Sequence, residues 1–92
     1  MKGRFIANVV SEYYKTDLTN KSRHHSVVRP RQIAMYLCHK FTRLSYSQIG
    51  NIFGGYNHTT VMNAVFRIND LLTFDEFIEN DVNKIMEILN DR

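Results

Sequence analysis

Asn57, His58, Thr59 and Thr60 put four short hydrogen-bonding side chains in a row, just ahead of Val61, Ala64, Val65, Ile68, Leu71 and Leu72 at helical spacing. Asn57 is a favourable N-cap, which sets the four in the first turn of a helix. That end of a recognition helix enters the major groove of DNA, and its free N–H groups and partial positive charge favour a phosphate. Earlier in the chain Lys21, Arg23, Arg29 and Arg31 are interleaved with Ser22, Ser26 and the His24-His25 pair. Such a flexible cationic segment suits phosphates and the narrow minor groove of A·T-rich DNA. Alone, the first group reads more readily as a cap and solvated first turn, and the second as an ordinary basic loop; their coincidence points to a nucleic-acid partner.

Catalysis finds less support. Cys38 and His39 are neighbours on an expected helix and so point about 100° apart, and His24-His25 has no carboxylate or thiolate at ligand spacing. The expectation is a protein that is not an enzyme and takes no metal, nucleotide or other cofactor.

Charge supports the same partner. Residues 1–43 hold nine basic side chains against two acidic, a balance of +7, whereas residues 44–92 hold three against seven, a balance of −4. The net +3 conceals this asymmetry, the pattern expected when one face meets a polyanion and the other only keeps the chain soluble.

The elements that must position these residues are helices. With 92 residues there is room for one domain, 1–92, and no second core. Hydrophobic residues at 43% and charged residues at 23% are a globular balance, and only 4 Gly and 1 Pro are few for a turn-dense β fold. No apolar run approaches the roughly 18 residues of a spanning helix, so no membrane partner is expected. A lone cysteine and no secretory signal suggest the cytoplasm.

Phe5, Ile6, Val9, Val10 and Tyr13 predict a first helix over about Gly3 to Lys15. Thr16 to Pro30 is polar and basic, reads as a loop, and ends in Arg29-Pro30, where the residue before proline is biased away from helix. Pro30 fits the first position of a second helix, with Ile33, Ala34, Leu37, Cys38 and Phe41 on one stripe and an end near Arg43. Ser45 and Gln48 form a capping box that opens a short helix with Tyr46, Ile49, Ile52 and Phe53, broken by Gly54-Gly55. After the helix that starts near Asn57, a last one carries Phe74, Phe77, Ile78, Val82, Ile85 and Leu89. The two short helices joined at Gly54-Gly55-Tyr56 have helix-turn-helix spacing.

The motifs Lys21-Ser22-Arg23, Val27 through Leu37, Ile49-Gly50, Phe53-Gly54-Gly55 and His58-Thr59-Thr60-Val61 follow one another in an order and spacing that resemble the C-terminal DNA-binding domain (domain IV) of the bacterial replication initiator DnaA. The resemblance runs over nearly the whole chain. It implies an all-α, Trp-repressor-like five-helix domain containing a helix-turn-helix. It also implies a double-stranded DNA partner at a DnaA box, an A·T-rich site of the TTATCCACA type. In that family the His-Thr-Thr run lies in the major groove, and an arginine of the basic loop enters the minor groove; by position that arginine is Arg23. Backbone contacts are implied for Lys21, Arg31 and Gln32, Thr60 is a candidate for phosphate as well as base, and Ser47 and Asn57 complete the DNA-binding set. The implied setting is the bacterial cytoplasm and nucleoid, in a bacterial or phage-encoded protein, as a monomer or weak dimer.

Two departures stand out. The family typically has Arg-Asp before His-Thr-Thr, and this chain has Tyr56-Asn57. Asn both donates and accepts, which matches adenine N6 and N7, whereas Asp only accepts. The chain also contains no G-x-x-x-x-G-K-[ST], so ATP-driven origin opening does not carry over. Two other readings stand beside replication: a helix-turn-helix transcriptional regulator, and an interaction or decoy module that acts on a full-length initiator.

Overall fold

A computed structural model of the chain describes residues 1–91. Its elements are α1 (Gly3–Tyr14), α2 (His25–Phe41), α3 (Tyr46–Ile52), α4 (His58–Leu71) and α5 (Glu76–Asn90), with no strand among the described residues. The expected stripes converge on one apolar core: Ile6, Val9 and Val10 of α1, Ile33, Ala34, Leu37 and Cys38 of α2, and Ile49 of α3 are all buried. Val61, Ala64, Val65, Ile68 and Leu71 of α4 and Ile78, Val82, Ile85 and Leu89 of α5 complete it. The most extensive packing joins α2 to α4, and α1 and α3 lie against this pair.

Helix ends follow local chemistry where the capping side chain is close in sequence. Ser45 Oγ accepts from Gln48 N at 3.1 Å while Ser45 N donates to Gln48 Oε1 at 2.8 Å, so the capping box is formed. Asp75 Oδ1 caps α5 by accepting from Phe77 N and Ile78 N. The α1 end is a left-handed Lys15, at φ 53. A latch between chain-distant elements ties α1 to α5: Tyr13 and Tyr14 donate their hydroxyls to the two oxygens of Asp81, at 3.1 and 2.8 Å. Burial first, then the carboxylate, pushes both phenols above their ordinary range.

Two expectations are corrected. The loop does not run to Pro30, because α2 starts at His25 and carries Pro30 inside it. A proline there forfeits the bond to the Ser26 carbonyl four residues back. The first turn is held by His24 instead: its Nδ1 accepts from Ser26 N at 3.2 Å, and its carbonyl accepts from Val27 N and Val28 N at 3.0 and 2.9 Å. The pre-proline bias is a local preference, and burying Pro30, Ile33, Ala34, Met35 and Leu37 on one helix outweighs it. The second correction concerns Phe74 and Phe77, which are 69% and 83% exposed rather than core residues. Phe74 lies ahead of α5, and Phe77 sits one position before the buried stripe, so a 100° step turns its ring outward. Leu18, an isolated apolar residue in the polar connection, is buried and had no periodicity to reveal it.

Ile68 is fully buried beneath the helix-turn-helix. Ile68→Val is expected to destabilise the fold by about 0.5 to 1.5 kcal/mol in chemical denaturation, whereas exposed Asn69→Ala stays within about 0.5 kcal/mol. Equal effects at the two positions would mean that the α4 phase is wrong.

Candidate nucleic-acid interface

The turn between α3 and α4 is built by backbone. Gly54 and Gly55 adopt φ +101 and +94, a left-handed region that L side chains rarely occupy. This lets Gly55 N and Tyr56 N fold back onto the Gly50 carbonyl, at 3.0 and 3.2 Å. The α3 carbonyl end is thereby satisfied, and the chain is turned into α4. Asn57 then caps α4, its Oδ1 accepting from Thr60 N at 3.0 Å. One oxygen lone pair thus serves the fold, and the amide donors of the same side chain are not needed for it. Asn57, His58, Thr59 and Thr60 are all exposed. His58 Nε2 approaches Thr59 Oγ1 at 3.5 Å, a long contact that leaves both groups able to take other partners. The result is a capped helix start presenting mixed donors and acceptors, which is what reading base edges requires.

The basic connection lies against this turn. Lys21 Nζ donates to the Gly54 carbonyl at 2.7 Å and stands 3.8 Å from the centre of the Tyr56 ring. Arg31 Cζ lies 4.7 Å from the same ring centre, and Arg31 Nη1 donates to the Asn20 carbonyl at 3.0 Å. Of the residues expected to meet DNA, the structure therefore gathers Lys21 and Arg31 at Tyr56, immediately before Asn57. Arg23, two residues beyond Lys21, is exposed, and so is Ser47 on α3. Arg31 is only 8% exposed, its guanidinium taken up inside the protein. Gln32 is half-buried, its Oε1 accepting from Arg29 Nη1 at 2.8 Å. Partial burial, followed by the nearby Arg67, lowers the Arg29 guanidinium below its ordinary range.

Cys38 is buried and its thiol is pushed up to about 12 by that burial, which leaves it protonated and unreactive at neutral pH. Among the described residues no group of three or more His, Cys, Asp or Glu side chains could hold a metal ion, and no helix is long and apolar enough to cross a membrane.

The model of the bacterial dnaA protein helix-turn-helix family matches residues 4–68, a span that takes in the basic connection, the turn and most of α4. The chain belongs to this family. It is similar to the chromosomal replication initiator protein DnaA of Nitrosomonas europaea, 44% identical over an alignment of 87 residues that covers 91% of this chain and 19% of that protein. The DnaA protein of a Ruegeria species is 46% identical over an alignment of 87 residues that covers 91% of this chain and 18% of its own length. The chain thus spans about a fifth of the length of these relatives. In family terms it is an all-α, DNA-binding helix-turn-helix of the DnaA C-terminal kind. Within that frame Tyr56, seen in the sequence only as a departure from the DnaA family's arginine, is the residue that sequence reading missed. Its signal was an aromatic ring directly after a Gly-Gly turn in a chain whose first half is rich in cations.

Proposed function

We propose that the chain binds double-stranded DNA at A·T-rich, DnaA-box-like sites and acts in replication initiation or its regulation, in the bacterial cytoplasm. The start of α4 reads the major groove through Asn57, His58, Thr59 and Thr60, Arg23 enters the adjacent minor groove, Lys21, Arg31 and Gln32 serve the backbone, and Ser47 belongs to the same DNA-contacting set. The observation that carries this reading is the capped start of α4, four exposed polar side chains directly after a glycine turn within a DnaA-family chain. A second copy is not needed for these contacts, and the working state is a monomer or weak dimer. No nucleotide or other cofactor takes part.

Fluorescence anisotropy against a DnaA-box duplex and a scrambled duplex tests the reading. Arg23→Ala is expected to lower affinity for the box and to relax the preference at its A·T end, whereas Lys84→Ala on α5 does neither. The minor groove separates A·T from G·C but hardly A·T from T·A, so exchanges between the latter two should be tolerated at that end. A loss on the box duplex that exceeds the loss on the scrambled one by about 1 to 3 kcal/mol is the expected size for one base-reading contact. Equal binding of wild type to both duplexes would remove sequence specificity from the proposal.

A further inference from the structure

The clustering of two cations on one ring at the helix-turn-helix is not required by the fold of either helix. We propose that Tyr56 is a positioning residue: its ring clamps Lys21 and Arg31, and so fixes the basic connection against the start of the recognition helix. This rests on the DNA-binding reading above for its consequence, though the clamp itself exists in the free protein.

The geometry is specific. Lys21 Nζ is 3.8 Å from the ring centre and donates at 2.7 Å to the Gly54 carbonyl, so the ammonium is held by a π face and a carbonyl together. A Cβ at Gly54 would stand 3.4 Å from Lys21 Cε and 3.5 Å from Nζ, ordinary contact distances, so the lysine stem lies directly over the turn. Arg31 Cζ is 4.7 Å from the same centre, and its Nη1 holds the Asn20 carbonyl at 3.0 Å. Arg31 is 8% exposed, and a desolvated guanidinium gains more from a ring than an exposed one does. The ring therefore pins the connection at two consecutive residues, Asn20 through Arg31 and Lys21 directly.

Two consequences follow for recognition. Lys21 and Arg31 are held in place by these contacts at positions assigned to the DNA backbone, and Arg23, exposed two residues beyond Lys21, is the cation of the connection assigned to the minor groove. Tyr56 is also the residue immediately before Asn57, so one side chain sets the spacing between Arg23 and the groove-reading start of α4. Holding that spacing before DNA arrives removes part of the ordering cost of binding. Without the ring, the connection keeps its buried Leu18 and its hydrogen bonds but loses the π contacts that hold Lys21 and Arg31, and the charge on Arg23 attracts phosphates with a looser register to the major-groove contacts.

Limited digestion by trypsin reads the clamp without DNA, because the protease must draw Lys21 or Arg23 into its own pocket. Cleavage of the opened state tracks its population. Tyr56→Leu, which keeps apolar bulk but has no π face, is expected to be cut about tenfold faster after Lys21 and Arg23, in the range that ring contacts of this kind supply. Tyr56→Phe, which keeps the face, should match wild type within about twofold. Cleavage after Arg67, inside α4, reports global opening and should not change. If Tyr56→Leu also opens at Arg67, Lys21→Met supplies the same test with the ring intact, and faster cleavage after Arg23 is then expected. Wild-type rates after Lys21 and Arg23 in folded Tyr56→Leu, or after Arg23 in Lys21→Met, overturn the clamp. On a DnaA-box duplex, Tyr56→Leu should lose discrimination between A·T and G·C at the minor-groove end and keep it at the major-groove base pairs, with Tyr56→Phe retaining both. Unchanged discrimination with faster digestion would overturn the positioning role. Failure of wild type to prefer the box would count against the DNA reading, leaving the digestion result to stand for the clamp.

Discussion

Gly50→Ala is expected to abolish the helix-turn-helix, lowering the melting temperature by at least about 15 °C or removing a cooperative transition altogether. A Cβ at Gly50 would collide with the carbonyl oxygen of Tyr56, lie 2.9 Å from its carbonyl carbon, and press on Val61 Cγ2 at 3.4 Å. Backbone atoms cannot rotate away as a side-chain tip can. The turn would have to open, breaking the bonds from Gly55 N and Tyr56 N to the Gly50 carbonyl. Mid-helix alanine is otherwise favoured over glycine by about 1 kcal/mol, so the steric term must reverse the sign. Gly55→Ala is the useful contrast. Nothing lies within 4 Å of a Cβ there, and the only difficulty is its φ of +94. That conformational strain is about 1 to 2 kcal/mol, a loss of several degrees rather than of the fold. Circular dichroism melts of the two variants beside wild type decide the matter; a Gly50→Ala protein as stable as Gly55→Ala would show that α3 and the turn are not packed as described.

Raising the salt concentration from 50 to 200 mM is expected to weaken binding to duplex DNA about 250- to 1,000-fold. Neutralising four to six phosphates predicts a slope of log affinity against log salt of about −4 to −5, through the release of condensed counterions. The cations available for this lie in the first half of the chain, where nine basic residues face two acidic ones. Counterion release does not depend on sequence, so box and scrambled duplexes should give nearly parallel lines. The vertical gap between them then measures base and groove readout, the part assigned to Arg23 and the start of α4. A flat response would reduce the basic half to solvated surface.

Much of this protein is decided within a few residues. The capping box at Ser45 and Gln48, the Asn57 cap, the Gly54-Gly55 break and the buried stripes of all five helices were legible because each depends on neighbours within about one helical turn. The same short range explains why the four polar side chains at the start of α4 stand out from their types and spacing alone. Other features depend on residues far apart. Whether α2 could carry Pro30 depended on the α2 face buried against α1 and α4, a gain larger than one forfeited hydrogen bond. The outward rings of Phe74 and Phe77 followed from where Asp75 capped α5, since a shift of one residue turns a side chain by 100°. The basic residues, alike in sequence, were divided by tertiary packing: Arg31 was drawn inside, Lys21 was laid over Tyr56, and Arg23 was left exposed. Composition supplied the cations, but which of them can meet a groove depended on the carbonyls and the aromatic ring that the fold brought beside each one.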